Sequence, residues 1–357
     1  MPKETAESPK TVATPAPAPS DAGAGPGADG RARMEDVAKA AGVALVTVSR
    51  AINTPDKLAP KTLAAIRQAI ERLGYVPNLM AGSLASNRSR IIAAIVPTIS
   101  NSLFVDTIDG LSETLAAEGY QLLIGQTRYR PAEESAVIDA FLGRRVDGIV
   151  LIGATHGSGV RERLKHAGIP IVETWDLPAE PIDMVAGFSN EDAGRAVASY
   201  LIDKGYFSLG YIGADEARSA KRMKGFVQEV ERRGHGAVAR ELVTPPSSIQ
   251  DGARMLAALI ARQPGLRAVF CSNDSMAAGA MFECRRQGWA VPERIAIVGF
   301  SDIPIAAASS PSLTTVEVAR KQMGARAGKM LLSKLAGAAT GETVVDLGFR
   351  IIERESS

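Results

Sequence analysis

The sequence is poor in the residues that bind metals or cross-link a chain. Among 357 residues stand two cysteines, Cys271 and Cys284, and three histidines, His156, His166 and His235. Two cysteines make neither a disulfide framework nor a four-ligand zinc site. The histidines are too far apart in sequence to form an HxxxH-type ligand pair, so no metal centre is expected. No apolar run approaches the roughly 18 residues that a membrane span needs. The N-terminus lacks the apolar core of a signal peptide, and the expectation is a soluble, cytoplasmic protein without a membrane partner. Enzyme signatures are missing as well: there is no GxSxG elbow, P-loop or HExxH, and no carboxylate pair sits in a motif. Neither catalytic residues nor a cofactor are therefore expected.

Net charge is also small, since 41 Lys and Arg against 39 Asp and Glu leave +2. That total hides an uneven distribution. Residues 31–90 carry ten Lys and Arg (among them Arg31, Lys39, Arg50, Lys61 and Arg88) against Glu35, Asp36, Asp56 and Glu71, a local +6. A compact basic block is the electrostatic footprint of nucleic-acid binding. Residues 1–30, rich in Ala, Pro, Gly and Ser, have little to bury and are expected to be disordered. Their GxGxxG, Gly25 to Gly30, follows no strand and opens no βαβ unit, so it fails the context test for a dinucleotide site.

Within the basic block, MEDVAKAAGVALVTVSRAIN (34–53) places Val37, Ala38 and Ala41 on one helical face, then Gly42, then Val43, Val48 and Ala51. Glycine tolerates the positive φ of a helix stop, and Ala38 lets two helices cross closely. This is the spacing of a helix-turn-helix, whose second helix enters the major groove. Its outward residues are Leu45, Val46, Thr47, Ser49 and Arg50. A third helix follows, with Leu63, Ile66, Ile70 and Leu73 as its apolar stripe and Gly74 as its C-cap. An ordinary three-helix module with a solvated basic face is the rival reading.

From residue 91 the texture changes. Apolar runs at 91–97, 120–127, 146–153, 169–175 and 184–188, then at 208–214, 268–274, 295–302 and 314–318, alternate with amphipathic stretches such as VIDAFLGRRVDG. Short runs of this kind read as parallel strands buried on both faces, here in two successive α/β lobes. Ligands bind such lobes at the carboxyl ends of the strands. Length agrees, at roughly 100–200 residues per folded unit.

The string MEDVAKAAGVALVTVSRAIN, followed by LGYVPNLMAGSLASNRS, resembles the lactose/galactose-repressor (LacI/GalR) family of bacterial transcription factors. CSND at 271–274, VPERIAIVGFSD at 291–302 and PSLTTV at 311–316 are similar to that family's ligand-binding core. The resemblance implies an all-α helix-turn-helix headpiece over 31–76, a hinge helix and linker over 77–90, and a two-lobed, periplasmic-binding-protein-like (type I) core over 91–353. THGSGV, HAGIPIVETWD, DMVAGFSNEDA and VVDLGF look closest to gluconate-utilisation repressors. By the same resemblance, Leu45, Val46 and Arg50 read bases, whereas Thr47, Ser49 and Asn53 contact phosphates. Ala44 stands where the family commonly has Ser, which removes an N-cap worth about 1 kcal/mol. Asn78 opens the hinge helix and Leu84 is its minor-groove wedge. A wedge needs two hinge helices side by side at Ala81, and hence a homodimer on a palindromic operator. No leucine heptads follow the core, so no tetramerisation tail is expected.

The resemblance also places Phe104, Gln126, Phe188, Arg218, Arg222, Asn273 and Ser301 around the small-molecule effector. Ser301 stands where neutral-sugar binders of the family usually carry Asp. Losing a carboxylate while keeping two arginines suits an anionic sugar acid, gluconate above all. The expected function is effector-released repression of sugar-acid catabolism genes. The alternatives are a neutral or phosphorylated sugar as effector, and a secreted receptor of the same two-lobed fold. A receptor would need a signal peptide and would lack the basic headpiece.

Overall fold

The computed structural model describes residues 32–76, 88–100, 102–338 and 341–357. The 1–30 tail and the hinge segment with Asn78, Ala81 and Leu84 lie outside the described residues. The chain divides into two compact units, Met1–Asn87 and Arg88–Ser357.

In the first unit, α1 (Met34–Ala41), α2 (Leu45–Asn53) and α3 (Pro60–Leu73) bury Val37, Ala38, Val48, Ile66 and Ala69 together. Gly42 makes the α1–α2 turn at φ 65°, where an L-residue would be strained. Ala44 is the N-cap of α2 and makes no side-chain cap. The apolar stripe of α3 departs from expectation at its end, where Leu73 is exposed. Beyond Gly74 the chain folds back, Tyr75 N donating to Ile70 O at 3.0 Å. The buried Tyr75 ring thereby supplies the last apolar group to this core.

The second unit holds two six-stranded sheets. One lobe contains β1 (Ile91–Val96), β2 (Gln121–Gln126), β3 (Gly148–Ile152), β4 (Ile171–Thr174), β5 (Met184–Gly187) and β11 (Val344–Asp346), in the order β11-β5-β4-β3-β1-β2. All its pairings are parallel. The other contains β6 (Leu209–Ala214), β7 (Ala239–Val243), β8 (Ala268–Cys271), β9 (Ala296–Ser301), β10 (Thr314–Val318) and β12 (Phe349–Ile352), ordered β12-β10-β9-β8-β6-β7. Only β12 in this sheet runs antiparallel, to β10. Each of the nine apolar runs forms a strand, trimmed by a residue or more where the run exceeds it. Three edge strands, β7, β11 and β12, were not foreseen.

The chain passes between lobes three times: after β5, after β10, and between β11 and β12. Helices cover both faces, as a buried parallel sheet requires. Among the described residues, three helix pairs cross with glycine on both members: Gly110 in α4 (Val105–Ala117) with Gly324 in α12 (Arg320–Leu335), Gly194 in α7 (Asn190–Asp203) with Gly225 in α8 (Ala217–Arg232), and Gly252 in α9 (Ile249–Arg262) with Gly279 in α10 (Asp274–Gln287). A Cβ on any of the six would lie 1.8–2.2 Å from a carbonyl oxygen of the partner helix. These crossings are therefore backbone against backbone.

Candidate functional site

The headpiece presents the outer face of α2. Leu45 and Val46 are 45% and 62% exposed, large apolar groups kept in water on a helix whose inner residue, Val48, is fully buried. Arg50 and Asn53 are exposed beside them, and Thr47 and Ser49 are half-buried. Asn53 is held by its Nδ2, which donates to Ser49 O at 2.9 Å. A helix with two bare aliphatics and an arginine on its exposed side can meet thymine methyls and a guanine edge.

In the core, a cleft of about 300 Å³ opens between the carboxyl ends of β1, β2 and β3 on one side and of β6 on the other. Its lining includes Thr127, Tyr129, Thr155 and His156 from the first lobe and Asp215 and Arg218 from the second. A smaller inner chamber, about 20 Å³, shares Tyr129, Glu216 and Arg218 with it and adds Trp175, Arg222, Ser247, Ser272, Asn273, Phe300 and Ser301. Three residues of the chamber, Tyr129, Trp175 and Ser301, hold positive φ values of 59°, 64° and 107°. Each such conformation costs of order 1–3 kcal/mol in a non-glycine residue, and such strain gathers where function fixes geometry.

Two arginines and an acid meet in the chamber. Arg222, on α8, donates to Asn190 Oδ1 and to Ser272 O (3.2 Å), and its guanidinium lies 4.3 Å from the centre of the Phe300 ring. Arg218, one turn earlier, sits 5.1 Å from the centre of Phe104 and pairs with Glu216 at 3.1 Å. Arg218 Nη1, Arg222 Nε and Ser301 Oγ are buried without a hydrogen-bond partner. Such atoms are rare in folded proteins, and three of them gather here. Glu216 stands 3.7 Å from Arg222 as well. Burial works against its charge, but the two guanidiniums hold its carboxyl below the usual carboxylate range. Burial pushes the Arg222 guanidinium down, against the pull of Tyr211 and Glu216.

Of the seven residues expected around an effector, Arg218, Arg222, Asn273 and Ser301 line the chamber together. Asn273 caps α10, Oδ1 accepting from Met276 N at 2.9 Å, while Nδ2 donates to Ser247 Oγ at 3.1 Å. Phe104 and Phe188 lie in the aromatic packing behind the chamber, 4.9 and 6.2 Å from Trp175 by ring centres, and neither lines it. Gln126 ends the edge strand β2, outside both linings. Tyr129, Trp175, Glu216 and Ser247 escaped the sequence reading. For Glu216 a signal existed, an acid two and six residues before the two arginines at the start of a helix. The others arrive from separate loops and carry none.

His156 is part of the first-lobe wall. Its Nδ1 lies 2.7 Å from Glu134 Oε1 and its Nε2 3.2 Å from Glu173 Oε1, with the imidazole almost fully buried. Burial alone would lower its affinity for a proton, but the hydrogen bonds to Glu134 and Glu173 prevail and push the pKa up to about 9. A pKa raised from an unfolded value of 6.5 adds stability that is complete below pH 6.5 and is lost as pH climbs through 9. The difference corresponds to about 3 kcal/mol. Urea unfolding at pH 6 and at pH 9.5 checks this: the wild type should lose stability across that interval, and a His156→Gln variant should lose far less.

A family model for bacterial regulatory proteins of the lacI family matches residues 33–78, and one for a periplasmic binding protein-like domain matches 198–357. The chain is 35% identical over 330 residues to the HTH-type transcriptional regulator GntR of Pseudomonas aeruginosa, covering 92% of this chain and 96% of the relative. It is 34% identical over 324 residues to the HTH-type transcriptional regulator IdnR of Escherichia coli, covering 90% and 97%. Among solved structures, a LacI-family transcriptional regulator from Silicibacter pomeroyi superposes with a TM-score of 0.86 at 32% identity, over 91% of this chain and 99% of that one.

Proposed function

The chain belongs to the LacI family of bacterial regulatory proteins, and is thus a DNA-binding transcriptional regulator that answers to a small molecule rather than an enzyme. From that premise we propose that its effector is a sugar acid, gluconate first, and that the effector releases a homodimer from a palindromic operator. The observation that carries this reading is the pair of buried guanidiniums whose Nη1 and Nε atoms lack partners in the inner chamber. A carboxylate takes charge-assisted hydrogen bonds from both arginines, and Ser301 Oγ offers a third donor. The larger cleft outside the chamber then receives a hydroxylated chain against Thr127, Thr155 and Asp215.

Glu216 restores to the chamber a carboxylate that Ser301 does not supply. It neutralises one of the two arginines and leaves the chamber with a single net positive charge. A neutral sugar is therefore the second reading, its hydroxyls bridging Glu216 and Arg222. In the headpiece, Arg50 pairs with a guanine edge, and Leu45 and Val46 touch thymine methyls. Thr47, Ser49 and Asn53 hold phosphates, and Asn78 and Leu84 act at the minor groove, Leu84 as the wedge. Effector and operator compete through their preference for different arrangements of the two lobes, a coupling typically of about 1–3 kcal/mol.

The test is a melting series of the purified protein with gluconate, 2-ketogluconate, 6-phosphogluconate, glucose and ribose. A ligand at one hundred times its Kd adds about 2.7 kcal/mol to the folded state. A rise with gluconate or its keto derivative, matched by release of operator DNA, is the expected outcome. A rise with glucose or ribose alone overturns the sugar-acid reading in favour of the neutral sugar.

A further inference from the structure

Part of the first-lobe wall of the cleft is a loop, residues 153–159, joining β3 to α6 (Val160–His166). Gly153, Ala154, Thr155, His156 and Gly157 all line the cleft, so this loop supplies a large part of whatever the first lobe offers a ligand. Its own sequence does little to fix it. Gly153 and Gly159 hold positive φ values of 115° and 76°, and Gly157 lies between them. Glycine has more backbone freedom to lose on ordering than any other residue.

Order comes from side chains outside the loop. Glu134, in the first turn of α5 (Pro131–Gly143), takes His156 Nδ1 on one oxygen and Gly157 N on the other, at 2.7 and 2.9 Å. Glu173, fully buried on β4, takes His156 Nε2 on one oxygen and Ile182 N on the other, at 3.2 and 2.6 Å. One imidazole thus joins a loop to a helix and to the central part of a sheet. Both of its nitrogens are engaged, and all four carboxylate oxygens have a donor.

We propose that His156 is a positioning residue for effector capture, the pin of a Glu134–His156–Glu173 clasp that holds the 153–159 loop in its ligand-receiving form. The inference rests on the cleft being the effector site. The pin acts on affinity because a loop ordered beforehand loses no further entropy when ligand arrives. It also explains the two carboxylates: unpinned, they would be anions beside the path of an incoming acid, and Glu173 would be a buried charge without a counterion. No atom of His156 is required to touch the ligand.

Calorimetric titration of the full-length protein with sodium gluconate tests this, using four forms: wild type, His156→Gln, His156→Gln/Glu173→Gln and Arg222→Lys. His156→Gln should weaken gluconate at least tenfold, because glutamine reaches one carboxylate and leaves the other without its side-chain partner or a counter-charge. Adding Glu173→Gln removes that charge, and should restore the Kd to within about threefold of wild type. Operator affinity without gluconate should stay within twofold throughout. Wild-type gluconate affinity in His156→Gln, with Arg222→Lys impaired, overturns the clasp and leaves the cleft standing. Full binding by Arg222→Lys and His156→Gln alike removes the cleft reading, and the clasp with it. A parallel loss of operator affinity in His156→Gln, or no recovery in the double variant, assigns His156 to general stability and also overturns the proposal.

Discussion

Alanine at position 225 is expected to destabilise the core by about 3 kcal/mol or more, although alanine is the better helix former. Propensity favours the change by up to about 1 kcal/mol, so the steric effect must exceed that. Here it does. The added Cβ would lie 1.9 Å from Glu191 O and 3.1 Å from Arg195 N, both backbone atoms of the facing helix, so no flexible side chain can yield. The helices would have to separate, and the reciprocal contact at Gly194, whose Cβ would meet Arg222 O at 1.9 Å, shows how little room the crossing has. Gly236→Ala is the control, since nothing stands within 4 Å of its would-be Cβ and its φ is not positive. That change should be neutral or stabilising by up to about 1 kcal/mol. Urea midpoints of the two variants separate the explanations. Equal midpoints would mean that the α7–α8 crossing relaxes freely.

The crossing also carries the site, because α8 bears Arg218 and Arg222. Replacement of Arg222 by alanine is expected to abolish the response to effector, with gluconate affinity reduced a hundredfold or more. Arg222 is 5% exposed and fills several roles together: donor to Asn190 and Ser272, partner of Glu216, and cap on the Phe300 ring. Its loss would leave Asn190 Oδ1 and the Ser272 carbonyl without this donor, and Glu216 with Arg218 alone. Removing one partner of a buried charge network typically costs about 3–5 kcal/mol. A lower melting temperature should therefore accompany the lost affinity. Lysine at 222 keeps the charge but not the planar fork or the stacking, so it should recover stability more than affinity. Operator release with increasing gluconate, read by fluorescence anisotropy of labelled DNA, checks both variants. Release by Arg222→Ala at wild-type concentrations would remove Arg222 from the effector site.

Physical pattern decided what could be read before the structure. The central strands were visible because burial on both faces makes them unbroken apolar runs, as in IIAAIVP and IAIVGF. Of the four edge strands only β2 was, and the other three were not. In β7, ARELV alternates half-buried and exposed residues, and β11 has three residues of which only Val345 is buried. Neither gives enough signal to separate a strand from a loop. Gly42, Gly74 and the buried Val37 and Val48 followed from helical spacing. Tyr75 did not, because it packs after the helix has ended.

The site divides in the same way. Arg218 and Arg222 lie one helical turn apart, and Asn273 and Ser301 sit at strand ends, so motif position found them. Tyr129 depends on positive φ at both Arg128 and itself, and Trp175 on another positive φ, which spacing does not reveal. His156 looked like an isolated histidine because its partners lie 22 and 17 residues away. Phe104 and Phe188 were placed at the effector only through the family resemblance. Which side of the chamber wall they occupy is a tertiary fact.

The threefold passage of the chain between lobes bears on how the protein is made. Strand β11 completes one sheet and β12 the other, and both come from residues 344–352. Ser356 then ties into the second sheet, its Oγ accepting from Thr314 N at 2.8 Å and donating to Ile297 O at 2.6 Å. On the ribosome the short three-helix unit is synthesised first, whereas neither sheet can be completed until this last stretch has emerged. A nascent or prematurely terminated chain would thus carry the helix-turn-helix without a finished sensor. Limited proteolysis of released chains ending before residue 344, set beside the full chain, should show both lobes resistant only when this stretch is present.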